Sequence, residues 1–332
     1  MSSIIRRLII AACLLMAFHY PVVHAESLSP YATMPESVSN DSLSRPTILN
    51  RIASPVLSAA INCAVTEGLK SSVHKMRPDR SDNHSFPSRH ASWAFTLASI
   101  ASAELYRHSP WWAVGAQTVA TGIGLQRVWS RNHYGSDVFA GMLCGVASTA
   151  AGYYLGNLIG GKRTVRYDAE YLCGASVETT SMASFITGGQ SLKDGSKLKA
   201  CSGFGYMVSY KVPMRHGWYV HACAGFASYT VRTAPTSTDA LNMPGVEIGA
   251  GKAFRLGRST GFEAEAGAGC AAVANNTKFG LPSAVFTASL KTKIAIQTTK
   301  RFCWGISAGY SLAAFPNTIS SITAGCFSRV CF

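Results

Sequence analysis

After Gly160-Gly161 the apolar residues stop recurring at helical spacing and begin to alternate, so the chain divides into two halves that cannot share a fold. A helix returns to one face every third or fourth residue, a strand every second. From Ala200 to Val212, the residues Ala200, Ser202, Phe204, Tyr206, Val208, Tyr210 and Val212 share a face. Cys201, Gly203, Gly205, Met207, Ser209 and Lys211 share the other. Phe286, Ala288, Leu290, Ile294 and Ile296 likewise oppose Thr287, Ser289, Lys291, Lys293 and Gln297. Eight such segments are expected, near 164–177, 197–212, 217–232, 244–255, 260–273, 284–299, 301–315 and 319–332.

An even number of alternating strands, each about ten residues long and separated by polar turns, is the pattern of an outer-membrane β-barrel. A soluble sandwich would turn one face to water, and here the outward face carries too many aromatics for that. The last strand, with Ile322, Ala324, Cys326, Ser328, Val330 and Phe332 on one face, resembles the terminal strand that bacterial outer-membrane proteins present to their assembly machinery. The match is partial, because Phe327 stands where glycine is usual.

The first half reads as helices at Pro55–Met76, His90–Tyr106, Trp111–Val128 and Asp137–Leu158. Val138 to Gly161 carries no charge and is long enough to span a bilayer, but its Ala, Gly and Ser also suit close packing in a bundle. One chain does not place helices in the inner membrane and a barrel in the outer one, so it is expected to be a bundle helix. The fold class is therefore α+β multidomain: an all-α bundle followed by an antiparallel, eight-stranded barrel. The expected domains are 1–25, 26–50, 51–160 and 161–332, the second a Ser/Pro-rich leader.

Arg6-Arg7, the apolar run Leu8 to Phe18 and Val23-His24-Ala25 read as a signal peptide cleaved after Ala25. Reading Ile10-Ala11-Ala12-Cys13 as a lipoprotein box would leave five apolar residues stranded on the mature chain. An even strand count returns both barrel ends to one side, which predicts a periplasmic helical domain tethered beneath the outer membrane. The ten cysteines follow neither a disulfide framework nor a zinc pattern, and no disulfide is expected.

Charged residues are only 14 % of the chain, against roughly 25 % in soluble domains. The net charge of +14 suits anionic lipid or phosphorylated substrates. No basic run is interleaved with aromatics, which argues against nucleic acid.

Three ordered motifs carry chemistry. Lys70 precedes Arg77-Pro78; Phe86-Pro87-Ser88-Arg89-His90 follows; then Arg127 leads to His133 and Asp137. A helix opening at Ser88 offers backbone N–H groups to an anion. Lys70 and Arg77, seven apart, would share a helix face, and Arg127 supplies a planar fork for phosphate oxygens.

Together these motifs resemble the type 2 phosphatidic acid phosphatase superfamily, over roughly Pro55 to Leu158. Two positions depart from its pattern: Arg89 replaces a glycine and Gln126 a serine. The resemblance implies a metal-free, cofactor-free phosphatase in which His133 forms a phosphohistidine. Asp137 would hold the other ring nitrogen of His133, and His90 would act as acid and then base. Lys70, Arg77, Ser88 and Arg127 would bind phosphate; Arg89, standing where the family has glycine, would either add a phosphate donor with its side chain in the mouth or misplace the helix end. The expected substrate is a phosphorylated lipid, or else a small phosphoester. Competing readings are a vanadate-dependent haloperoxidase, or an adhesin-like barrel carrying a decayed phosphatase. His74, His84, His216 and His221 have no partners at chemical spacing and read as surface or pore-lining.

Overall fold

The computed structural model describes residues 48–159 except Arg107, and 174–332 apart from short segments at 188–189, 192–196, 199–201, 235–236, 275–281 and 315–317. The expected signal peptide and leader lie outside the described residues, as does most of the expected strand at 164–177.

Four helices come first: α1 (Ile48–Ser72), α2 (Arg89–Leu105), α3 (Pro110–Trp129) and α4 (Gly135–Ile159). Ser88 caps α2, its hydroxyl accepting from the Ala91 N–H, and Ser109 caps α3 ahead of Pro110. Each cap satisfies one of the N–H groups a helix start leaves unpaired. The predicted extension of α1 to Met76 does not form. Ser71 and Ser72 turn their hydroxyls back onto the Gly68 carbonyl, and Lys75 then pairs with His84 in an isolated bridge. The small residues of α4 do what their size allows. A Cβ on Gly145 would sit 2.5 Å from the Ser92 carbonyl of α2, and one on Gly152 would meet Ser58 of α1.

Eight strands follow: β1 (Ser176–Ile186), β2 (Ser202–Pro213), β3 (Trp218–Ala234), β4 (Ser237–Arg255), β5 (Thr260–Ala272), β6 (Ala284–Thr299), β7 (Phe302–Ala314) and β8 (Thr318–Cys331). They close into an antiparallel barrel in which β1 pairs with both β2 and β8. A two-residue ribbon, Gln190–Ser191 with Lys197–Leu198, stands apart. The second expected strand therefore starts late, at Ser202 rather than 197. The alternation holds in three dimensions, with Ile248, Phe286, Leu290 and Ile306 facing outward and exposed. Inward, Glu178, Glu263 and Glu265 meet Lys211, Lys293 and Arg329 in one buried network near the ends of β1 and β8. An eight-stranded barrel has just enough interior to be filled by side chains, and this network fills it at that level.

Strand β1 is the one that alternation missed. Its sequence, Ser-Val-Glu-Thr-Thr-Ser-Met-Ala-Ser-Phe-Ile, is polar on both faces because its outward face is covered by helix. Ser181 bonds Thr121 of α3 at 2.5 Å, and Tyr206 of β2 bonds Thr118 at 2.6 Å. Phe204 is wholly buried in the core formed by Ala91, Phe95, Val128, Val138 and Met142. Gly135 lies so near the Gly203 backbone that a Cβ would collide with it. The expected bundle hanging beneath the barrel is thus corrected: the helices lie along the barrel's outer wall. The reason is local, since the small and hydroxyl residues of β1 and β2 fit a helix.

Candidate active site

All three motifs meet at one end of the bundle. The helices run antiparallel, so the end of α1, the start of α2, the end of α3 and the start of α4 come together. The connections 73–88 and 130–134 cross there.

His133 is 2 % exposed. Its Nδ1 donates to the Ser85 carbonyl at 2.7 Å, and a carbonyl can only accept, so Nδ1 carries the proton and Nε2 keeps its lone pair. Burial drives its pKa down to about 4, aided by the positive charges of Arg77 and Lys70, against the Ser85 bond and Asp137, which raise it. The imidazole is therefore neutral at ordinary pH. That is the protonation state a nitrogen nucleophile needs.

Asp137 does not hold His133, contrary to expectation. Its carboxylate accepts from the Ser85 hydroxyl and from Lys75 Nζ, both at 2.5 Å, and from the Tyr134 N–H at 3.2 Å. It anchors the segment whose carbonyl orients His133, and so acts one residue removed. Lys75 lies between the motifs and carries no spacing signal, whereas Ser85 falls in Ser81-Asp82-Asn83-His84-Ser85-Phe86, the approach to the second motif, which also resembles bacterial members of the family.

The cations surround this pair. Lys70 Nζ donates to the carbonyls of His84 at 2.6 Å and Pro87 at 3.3 Å. Arg77 lies beyond α1, so it does not share a helix face with Lys70. The loop brings it in, with Nε on Asp82 at 2.8 Å. Asp82 is held below the usual carboxylate range by the His84 N–H and Arg77. Arg127 is steadied by Gln126, whose amide oxygen accepts from Nε at 2.7 Å. The glutamine that departs from the family pattern thus orients the arginine beside it.

His90 is exposed in the first turn of α2, and its pKa is lowered by burial and by Arg127, Arg77, Arg89 and Lys70. Ser88 is buried, and its N–H donates to the Asp137 carbonyl at 3.0 Å. Arg89 departs from its expected place. It opens α2 without a positive φ, so the backbone tolerates a side chain where the family has glycine. Its guanidinium is drawn to Glu67 at 2.6 Å rather than into the mouth.

This excess of positive charge fits an anion and disfavours a bound cation. A donor cluster does occur elsewhere, where His221, Cys223 and Glu247 bring ligand atoms within 4.8 Å of one another inside the barrel. Two residues apart on β3 and across from β4, they form a set that only strand pairing assembles. Lys291 Nζ already sits 2.7 Å from Glu247, where a cation would bind.

Residues 51–159 match the PAP2 superfamily, so the helical half carries a domain of that family. Over 108 residues the chain is 32 % identical to the lipid A 1-phosphatase of Porphyromonas gingivalis, covering 32 % of this chain and 24 % of that protein. The chain therefore spans about a quarter of that curated relative's length. Among solved structures, Neisserial surface protein A is 15 % identical, covering 48 % of this chain and 97 % of its own, with a TM-score of 0.37. The outer membrane enzyme PagL is 14 % identical over 47 % of this chain and 99 % of its own, with a TM-score of 0.33.

Proposed function

We propose that this protein is a metal-independent phosphatase acting on a phosphorylated lipid, bound to the outer membrane by its barrel and working through a phosphohistidine on His133. The observation that carries the reading is the neutral, buried His133, oriented by the Ser85 carbonyl among Lys70, Arg77 and Arg127. The PAP2 match and the lipid A 1-phosphatase relative support it. The outward apolar face of the closed barrel supports the membrane.

His133 Nε2 attacks phosphorus while the bond to the leaving oxygen breaks, and protonated His90 gives that oxygen its proton. His90, now neutral, takes a proton from water, and the resulting hydroxide displaces His133 to release phosphate. Microscopic reversibility assigns both transfers to one group. The charge that builds on the equatorial oxygens meets the terminal nitrogens of Arg77 and Arg127, the third Lys70 proton and the N–H groups opening α2. Such preorganised donors supply the largest part of catalysis in sites of this kind. The chain would reach its membrane as an exported protein whose barrel is folded by the outer-membrane assembly machinery.

Purified protein should release phosphate from lipid phosphomonoesters in the presence of EDTA, and orthovanadate should inhibit it. Loss of turnover on chelation, restored by zinc or magnesium, would contradict the metal-independent mechanism.

A further inference from the structure

The helical half is not clothed like a water-soluble domain. Val119 of α3 is 65 % exposed and Trp112 is 61 % exposed, while Ile52, Leu97, Leu143 and Leu155 present further apolar surface. Two helices, Ile52–Ser72 and Gly135–Gly156, are long and apolar enough to cross a membrane. This surface is continuous with the outward barrel wall, because α3 and α4 pack directly on β1 and β2.

Helix α3 gives the depth. Its 20 residues span about 30 Å at roughly 1.5 Å per residue, close to the thickness of a bilayer's hydrocarbon core. Tryptophans mark both ends, and aromatic rings favour the two membrane interfaces. Trp111 lies against Phe332 at 6.1 Å, at the end of the barrel where β1 starts and β8 stops. Trp129 lies against Phe226 at 6.3 Å, and beyond it Thr238 at the start of β4 bonds the Pro78 carbonyl at 2.7 Å. The catalytic loops therefore stand at the far end of the barrel from its termini.

Turn lengths orient that end. The connections at the termini end, 214–217, 256–259 and 300–301, are all short; at the catalytic end 187–201 and 273–283 are long, while 235–236 and 315–317 are short, the former joining the two longest strands, β3 and β4. Outer-membrane barrels keep short turns in the periplasm and long loops outside. We infer that the helical domain lies in the bilayer beside the barrel, with its active site at the outer-leaflet surface. Its substrate is then a phosphomonoester on a lipid of that leaflet. The substrate side of this inference rests on the phosphatase reading; the topology does not. It replaces the periplasmic expectation, which assumed a domain hanging below the barrel.

The test is labelling of single added cysteines in intact cells by a maleimide–polyethylene glycol too large to cross the outer membrane. The unsubstituted chain gives the background of its native thiols. Asn83→Cys reports the catalytic end and Met214→Cys the termini end, with Ser81→Cys and Arg215→Cys as a second pair if either fails to assemble. Heat-modifiable gel migration identifies assembled barrels. The expected result is labelling of Asn83→Cys in intact cells and of Met214→Cys only after permeabilisation. Any other order overturns the inference, including labelling of both only after permeabilisation. Turnover by the detergent-solubilised parent tests the phosphatase reading separately, since it does not depend on which side the site faces.

Discussion

The barrel interior and the catalytic end of the bundle both gather charge, but they balance it differently. Inside the barrel three carboxylates, Glu178, Glu263 and Glu265, face three cations, Lys211, Lys293 and Arg329, and the Tyr219 hydroxyl completes the set at 2.9 Å from Glu265. At the catalytic end Lys70, Arg77, Arg89 and Arg127 crowd around His90 and His133. Among the described residues only Asp82 and Glu67 answer them directly, while Asp137 is engaged by Lys75. A neutral buried network is complete without a visitor. A cluster left with surplus positive charge is incomplete until an anion arrives.

The largest expected effect separates the nucleophile from its surroundings. His133→Ala should lower turnover by roughly a thousandfold or more, as removal of a nucleophile does, and leave the barrel assembled. Activity within about tenfold of the parent would end the assignment. Next is Arg77→Ala, expected to lower kcat by roughly 10²–10³, as when one transition-state donor is lost. Steady-state kinetics on a lipid phosphomonoester measures both. In the barrel, Glu263→Gln leaves the buried network with one uncompensated positive charge, although Arg329 keeps Glu178 and Lys211 keeps Glu265, and should cost about 3–5 kcal/mol of stability. Turnover per assembled molecule should stay unchanged. A change in kcat without a change in unfolding would show that the two charge clusters are not separate.

Acidity should act on the catalytic end first. His90 must be protonated to serve the leaving group, and its pKa is lowered, so the rate should rise as pH falls from neutral. It should then collapse near pH 4, where His133 gains a proton and loses its nucleophilic lone pair. Stability follows the same residue. A base held neutral by folding costs stability as pH falls from about 6.5, its ordinary value, toward 4, because the unfolded chain protonates first. A pH–rate profile of the parent beside that of His90→Ala checks this, and an unchanged profile in the variant would contradict the role of His90.

The smallest effect belongs to Arg89. An exposed pair such as Arg89 with Glu67 is worth about 0–1 kcal/mol. Arg89→Gly should therefore change kcat/KM by only a few-fold on monophosphate and diphosphate substrates alike. A selective loss on diphosphates would mean that the side chain turns into the mouth when substrate binds.

The same contrast explains what could be read in the sequence. Strands β6 and β7 are legible because outward-facing Phe286, Leu290, Trp304 and Ile306 alternate with small or charged residues. Strand β1 is illegible because Ser181 answers Thr121, a partner far along the chain. The motif spacing brings Lys70, His90, Arg127 and His133 together, since Lys70 and Arg127 lie in the last turns of helices, His90 in the first turn of one and His133 just ahead of another. The partners of Asp137 could not be read that way. They are the Ser85 hydroxyl and Lys75, set by the path of a loop with no period. Arg89 was misplaced for a related reason, as Glu67 lies one helix away.

The central claim is a covalent bond to His133, and rapid quenching of turnover with phosphorus-labelled substrate tests it directly. The account predicts label on the protein that is stable to alkali, released by acid, and mapped to the peptide containing His133. Turnover with no protein-bound label at any quench time, or label retained in His133→Ala, would contradict it.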